Sequence, residues 1–169
     1  MAMGTKIGAS EEDVAQVMGR VDFKNAEVRM LEDANDSHRL YGVYIIDKDA
    51  AAITRDLSAL EKAYELETLD MVNASRAQYG IPALRWNGGI AAAARLHSKD
   101  MYERDFFAHT NPDNKAPADR LSAQSVQYTV CGENIYWSPT DGDAVYAHYG
   151  WMNSTGHRSN ILNRDFGYY

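Results

Sequence analysis

Cysteine is almost missing from this chain. The one present, Cys131, has no partner for an internal disulfide. That fits a reducing compartment, and equally a secreted protein that never relied on disulfides. The ordinary place for such a residue is a small buried apolar position. No stretch approaches about 18 consecutive apolar residues, so no transmembrane segment is expected. The start, MAMGTKIGASEED, lacks the apolar run of a signal peptide. Either the protein is intracellular or its targeting segment is not part of this sequence. Lys and Arg form no cluster and the net charge is −7, which argues against nucleic acid or an anionic membrane as partner. CxxC, P-loop, GxGxxG and HExxH are all absent, as are repeats and low-complexity tracts.

What is present fits one ordinary domain, or one domain with a small companion: 169 residues, 45% of them apolar. The 11 Tyr and 3 Trp suit half-buried positions with one polar end. Residues 1–56 read as a helix-plus-hairpin unit. Ser10 is an N-cap candidate, with Val14, Val17 and Met18 on one helical face. AEVRML and RLYGVYIID then read as strands around the loop DANDSH. That unit is too short to bury a good core alone.

Residues 57–169 change pattern. Ser58 and Glu61 have capping-box spacing, opening a helix with Leu66, Leu69 and Val72 on one face, ending near Gly80-Ile81-Pro82. A second helix is expected from about Gly89 to Arg104, with Ile90, Ala94, His97 and Met101 as its apolar stripe. HTNPDNKAPAD is a loop, and RLSAQS one or two helical turns. TVCGENIYW has strand character around Ile135-Tyr136-Trp137. AVYAHYGWMNS reads as a third helix, with Ala144, Val145, His148 and Trp151 or Met152 inward.

Of the five histidines, His38 reads as solvated in a hairpin loop, and His97 and His148 as satisfied core or boundary residues. His109 and His157 differ, because each lies in a turn just after an element. Glu133 differs too, since it carries a carboxylate into a mostly apolar segment, which is costly unless paired. Nothing in their spacing forces these three to meet. Tyr136-Trp137 reads as core and sheet surface rather than a sugar platform. The sequons at Asn73 and Asn153 read as incidental to their helices.

Five stretches together are more specific: LDMVNASRAQYGIPALRWNGGIAAAARLHSKDM, FFAHTNP, DRL, CGENIYW and WMNSTGHRSNILN. In order and spacing they resemble the CAP superfamily (cysteine-rich secretory proteins, antigen 5, pathogenesis-related 1), also called the SCP-like domain, in its bacterial disulfide-free form. The resemblance covers roughly residues 62–166. It implies an α+β fold, a three-layer α-β-α sandwich, with the C-terminal strands that close the sheet missing after Tyr169. Residues 1–56 weakly resemble the tail of a unit that precedes bacterial CAP domains. The resemblance also implies a cleft of two His and two Glu. His109, Glu133 and His157 match three of them. Ser154 stands where relatives place the second Glu, three residues after Trp151, so one acid/base partner is absent.

Three functions follow from that resemblance. The first is an extracellular or cell-surface module binding a small-molecule, lipid, peptide or cell-wall ligand, or Zn²⁺ or another divalent cation held by His109, His157 and Glu133. The second is a hydrolase of peptide, ester or cell-wall material, with the same three residues catalytic. The third is a scaffold whose polar cleft organises the fold. A Ser154–His157 pair is a further nucleophile option.

Overall fold

The computed structural model describes residues 26–35, 39–47, 57–139 and 143–169. The chain divides into two compact units between Leu60 and Glu61. The helix expected at Ser10 and the histidine at position 38 lie outside the described residues.

In the first unit, β1 (Ala26–Asp33) and β2 (Arg39–Asp47) form an antiparallel pair running from Ala26 opposite Asp47 to Asp33 opposite Arg39. The register shifts between Leu31 and Glu32. Leu31 faces Gly42 and Glu32 faces Leu40, so Tyr41 is the extra, bulged residue. Asp33 Oδ1 accepts the Asn35 N–H at 2.9 Å, an Asx turn that ends β1 two residues later than the apolar pattern suggested.

The second unit is helical. In α1 (Leu57–Gln78) the buried residues Thr68, Leu69, Val72, Ser75 and Arg76 recur at helical spacing. Leu66, expected on that face, is 44% exposed. Leu57 is already helical, so Ser58 sits in the first turn rather than at the N-cap. The helix stops in a Schellman turn: Gly80 adopts φ +60°, Ile81 N–H donates to Arg76 O at 3.0 Å, and Gly80 N–H to Ala77 O at 3.1 Å. The Asn73 amide then grips Leu84, its Oδ1 accepting the Leu84 N–H at 2.7 Å and its Nδ2 donating to Leu84 O at 3.0 Å. That employment supports the structural reading of the Asn73 sequon.

Next comes α2 (Gly88–Glu103), where the Asn87 side chain caps Gly89 N and Ile90 N at 2.9 and 3.2 Å. Its buried residues are Ala91, Ala93 and His97, while Ala94 is exposed. The expected stripe holds at His97, is half-buried at Ile90 and Met101, and fails at Ala94, where Ala93 is buried instead. Short α3 (Pro117–Ala123) starts on Pro at its first position. In α4 (Ala144–Met152), six of nine residues are buried: Ala144, Val145, Ala147, His148, Trp151 and Met152. Last is α5 (Thr155–Ile161).

The strand expected at Ile135–Trp137 is absent. The segment is irregular and pairs with no strand among the described residues, and Trp151 Nε1 donates to Ile135 O at 3.0 Å. Trp137 is 65% exposed and Tyr136 is exposed as well, so neither is core. The C-terminal residues do pair through their backbone. Tyr168 bridges Arg85 in parallel, with Arg85 N–H donating to Gly167 O and Tyr169 N–H to Arg85 O at 3.1 and 2.9 Å. Burial, reinforced by Glu65, pushes the Tyr169 phenol up to about 12.

Candidate functional site

The site is built on the segment that leaves α2. Phe106 packs its ring 5.8 Å from that of His97 and anchors the segment, whereas Phe107 is exposed. His97, buried on α2, donates from Nε2 to Ala108 O at 2.9 Å, because a carbonyl can only accept. His109 follows at once, its side chain 50% exposed. The loop beyond is closed by Asn111, whose Oδ1 accepts the backbone N–H groups of Asp113 and Lys115 at 3.0 and 2.9 Å. Pro117 then opens α3 and delivers Arg120.

Glu133 meets this segment from the irregular run after Cys131-Gly132. Its Oε1 lies 2.9 Å from His109 Nδ1 and 4.0 Å from His97 Nε2. Its Oε2 accepts from Arg120 Nη2 at 2.5 Å. Arg120 Nη1 donates to His109 O at 2.9 Å and to Lys115 O at 2.8 Å. Glu133 is placed from the other side by Asn160, whose Nδ2 donates to Glu133 O at 3.2 Å and to Asn134 Oδ1 at 2.9 Å. The carboxylate is thus paired at both oxygens, as the cost of burying it demands. Since a carboxylate only accepts, the neutral His109 ring carries its proton on Nδ1, which leaves the lone pair on Nε2.

His157 belongs to a neighbouring cluster. Its Nδ1 lies 2.9 Å from Ser154 Oγ, and its backbone O accepts from Asn134 Nδ2 at 3.1 Å. The ring makes no hydrogen bond or ion pair with Glu133 or His109 among the described residues. Among the described residues, two of the three expected residues are thus joined directly, and His157 is related to Glu133 through Asn134 and Asn160. Ser154, at the N-cap of α5, makes no side-chain cap bond, and its hydroxyl pairs with His157 instead.

A metal ion would need several open donors. No group of three or more His, Cys, Asp or Glu among the described residues is disposed to hold one. Both Glu133 oxygens are engaged, one by a guanidinium cation, which leaves the Nε2 atoms of His109 and His157 as this trio's open donors. As arranged, the residues do not fit a His109–Glu133–His157 metal centre.

Two residues of the site escaped the sequence. Arg120 sits inside the DRL stretch, and the signal for it was the buried carboxylate itself, which calls for a cation. His97 looked like a satisfied core histidine. It is buried and one nitrogen is bonded, but its buried Nδ1 has no hydrogen-bond partner among the described residues.

The helical unit has the fold of a CAP domain. The family model of the cysteine-rich secretory protein family matches residues 69–168, and the chain belongs to that family. It is 36% identical over 107 residues to the uncharacterized membrane protein YlbC of Bacillus subtilis, and 35% identical over 104 residues to the uncharacterized protein YkwD of the same organism. These alignments cover 63% and 62% of this chain but 30% and 40% of those relatives. Among solved structures, an extracellular protein containing a SCP domain from Bacillus anthracis matches with TM-score 0.75 and 28% identity, over 88% of this chain and 53% of that one. A cysteine-rich secretory protein of Staphylococcus aureus, 19% identical, shares the fold with TM-score 0.55 over 88% and 52% of the two chains. No described helix is long and apolar enough to cross a membrane.

Proposed function

We propose that the chain is an extracytoplasmic ligand-binding CAP domain whose recognition atom is His109 Nε2. The observation that carries this is the 2.9 Å contact between His109 Nδ1 and Glu133 Oε1 on a half-exposed imidazole. Glu133 fixes the tautomer and the ring direction, so a bare acceptor nitrogen points away from the carboxylate. Such an atom accepts a hydrogen bond from a ligand hydroxyl or amide N–H. Glycan and peptide parts of cell-wall material carry both groups; a hydroxyl-bearing lipid or small molecule offers the same chemistry. The extracellular description of the Bacillus anthracis neighbour supports the location. A three-layer sandwich as the full architecture is part of the same proposal.

The test is a titration with soluble cell-wall glycopeptide fragments, followed by NMR at the His109 ring. The expected result is a saturable shift of the His109 resonances, lost in His109→Ala. Absence of any shift with glycopeptide, peptide or lipid micelles drops the reading.

The same geometry favours hydrolysis as the second reading. A histidine oriented by a carboxylate is a general base toward water, and the attack would fall on an ester or amide. Hydrolysis that survives Glu133→Gln combined with His109→Ala would place the chemistry elsewhere. Zn²⁺ or another divalent cation ranks below both, because Arg120 occupies the carboxylate. A rise in melting temperature with Zn²⁺ that is lost in both His109→Ala and His157→Ala would restore the metal reading.

A further inference from the structure

Two consecutive carbonyls, Ala108 O and His109 O, are each received by a side chain from a different helix. His97 of α2 takes the first at 2.9 Å and Arg120 of α3 the second at 2.9 Å. The same two side chains flank Glu133: Arg120 at 2.5 Å from Oε2, and His97 at 4.0 Å from Oε1. One guanidinium therefore holds the histidine's backbone and the carboxylate that orients its ring. Planar donors in a fixed fork suit that double task, whereas a single ammonium does not. Arg120 is also largely buried, 11% exposed at its side chain, so the clasp is shielded from competing water.

We propose that Arg120 is the positioning residue of this site: it sets the hydrogen bond between Glu133 and His109, and so determines that Nε2 is the nitrogen offered to a ligand. His97 supports it by fixing Ala108. This rests on the reading that His109 is the recognition residue, but it concerns the tautomer of the ring, which can be observed with no ligand at all. Without the Arg120 bond, Glu133 is free to turn, and an imidazole released from a carboxylate reverts to the mixture dominated by the Nε2–H form.

The experiment is long-range ¹H–¹⁵N NMR of the histidine rings in the full chain. The wild type is expected to show His109 as Nδ1–H, with Nε2 at the bare-nitrogen position. In Arg120→Met the expected result is a shift of Nε2 to the protonated position, with a mixed or Nε2–H ring. Arg120→Lys keeps charge and bulk but lacks the fork, so it serves if the Met variant does not fold, and a partial shift in the same direction is expected. His157, bonded to Ser154, is the internal control and should not move. His109 remaining Nδ1–H in a folded Arg120 variant overturns the proposal, as does a wild type that is already Nε2–H. Equal shifts at His157 also overturn it, because the effect is then global. A lower melting temperature with the His109 tautomer unchanged marks Arg120 as a loop clasp only. Failure of glycopeptide to bind the wild type would sink the ligand reading while leaving these tautomers readable.

Discussion

Arg76 of α1 donates from Nη1 to Ile161 O at 2.8 Å, although the two residues lie 85 positions apart. The same guanidinium reaches Asn163 O at 2.7 Å, Pro82 O at 2.8 Å and Phe166 O at 3.1 Å, and it is fully buried. Four carbonyls depend on it, one at the end of α5 and three in irregular backbone. Arg76→Met keeps the length and removes every donor, which leaves several of those carbonyls unsatisfied. The expected loss is roughly 4 kcal/mol of unfolding free energy. Urea denaturation measures it, and a loss under about 1 kcal/mol would show that water replaces the clasp.

Gly132 and Gly156 should respond in opposite directions to the same added methyl group. A Cβ at Gly132 would stand 2.9 Å from Phe166 Cζ and 3.1 Å from Asn160 Oδ1. Asn160 also holds Glu133 O, so the clash reaches the site as well as the packing. Gly132→Ala is expected to cost about 1–3 kcal/mol. A Cβ at Gly156, in α5, meets nothing within 4 Å, and Gly156→Ala should gain about 0.5–1 kcal/mol. Thermal melts of the two variants check the contrast. A stabilised Gly132→Ala would mean that Phe166 and Asn160 yield freely.

The helices were legible in the sequence because their signals are local. Gly80 ends α1 where expected, whereas α3 opens at Pro117 inside the expected loop, three residues before the helical turns read from Arg120. The hairpin followed from alternation, and β2 has the expected bounds. What failed were inferences about neighbours. Ile135-Tyr136-Trp137 has the composition of a strand, but a strand needs a partner ladder, and composition carries no information about one. Leu66 and Ala94 fit a helical period, yet which flank of a helix meets its neighbour depends on packing partners distant in sequence. The site was half legible for the same reason. Family resemblance picked out His109 and Glu133, but the Arg120 and His97 contacts are set by where α3 and α2 come to rest.

His148 makes stability depend on pH. Burial lowers its pKa from 6.5 to about 4, with Nε2 3.0 Å from Ser75 Oγ. The folded state thus refuses a proton that the unfolded chain accepts. Above pH 6.5 the dependence vanishes. As pH falls from 6.5 towards 4 the unfolded state gains protons, and stability drops by on the order of 3 kcal/mol. Glu67 works against this at the acid end, because burial, with Asp143 beside it, raises its pKa. The difference between wild type and His148→Gln isolates the histidine. The expected result is a flatter stability profile between pH 6.5 and 4 for the variant. Parallel profiles would mean that His148 is protonated within the fold.

Which histidine serves the ligand can be decided by removing the partner of each. Glu133 orients His109, and Ser154 pairs with His157, both at 2.9 Å. If His109 Nε2 is the recognition atom, Glu133→Gln unsettles its tautomer and should weaken glycopeptide binding about 10-fold, the lower end of the effect of losing a carboxylate that orients a ligating histidine. Ser154→Ala leaves the Glu133–His109–Arg120 array intact and should change affinity less than about 2-fold, well under 1 kcal/mol. Calorimetric titration of both variants reads this directly. The reverse order, with Ser154→Ala weakening binding and Glu133→Gln silent, would move recognition to the Ser154–His157 pair. That pair would then replace the missing carboxylate as the polar partner in the cleft.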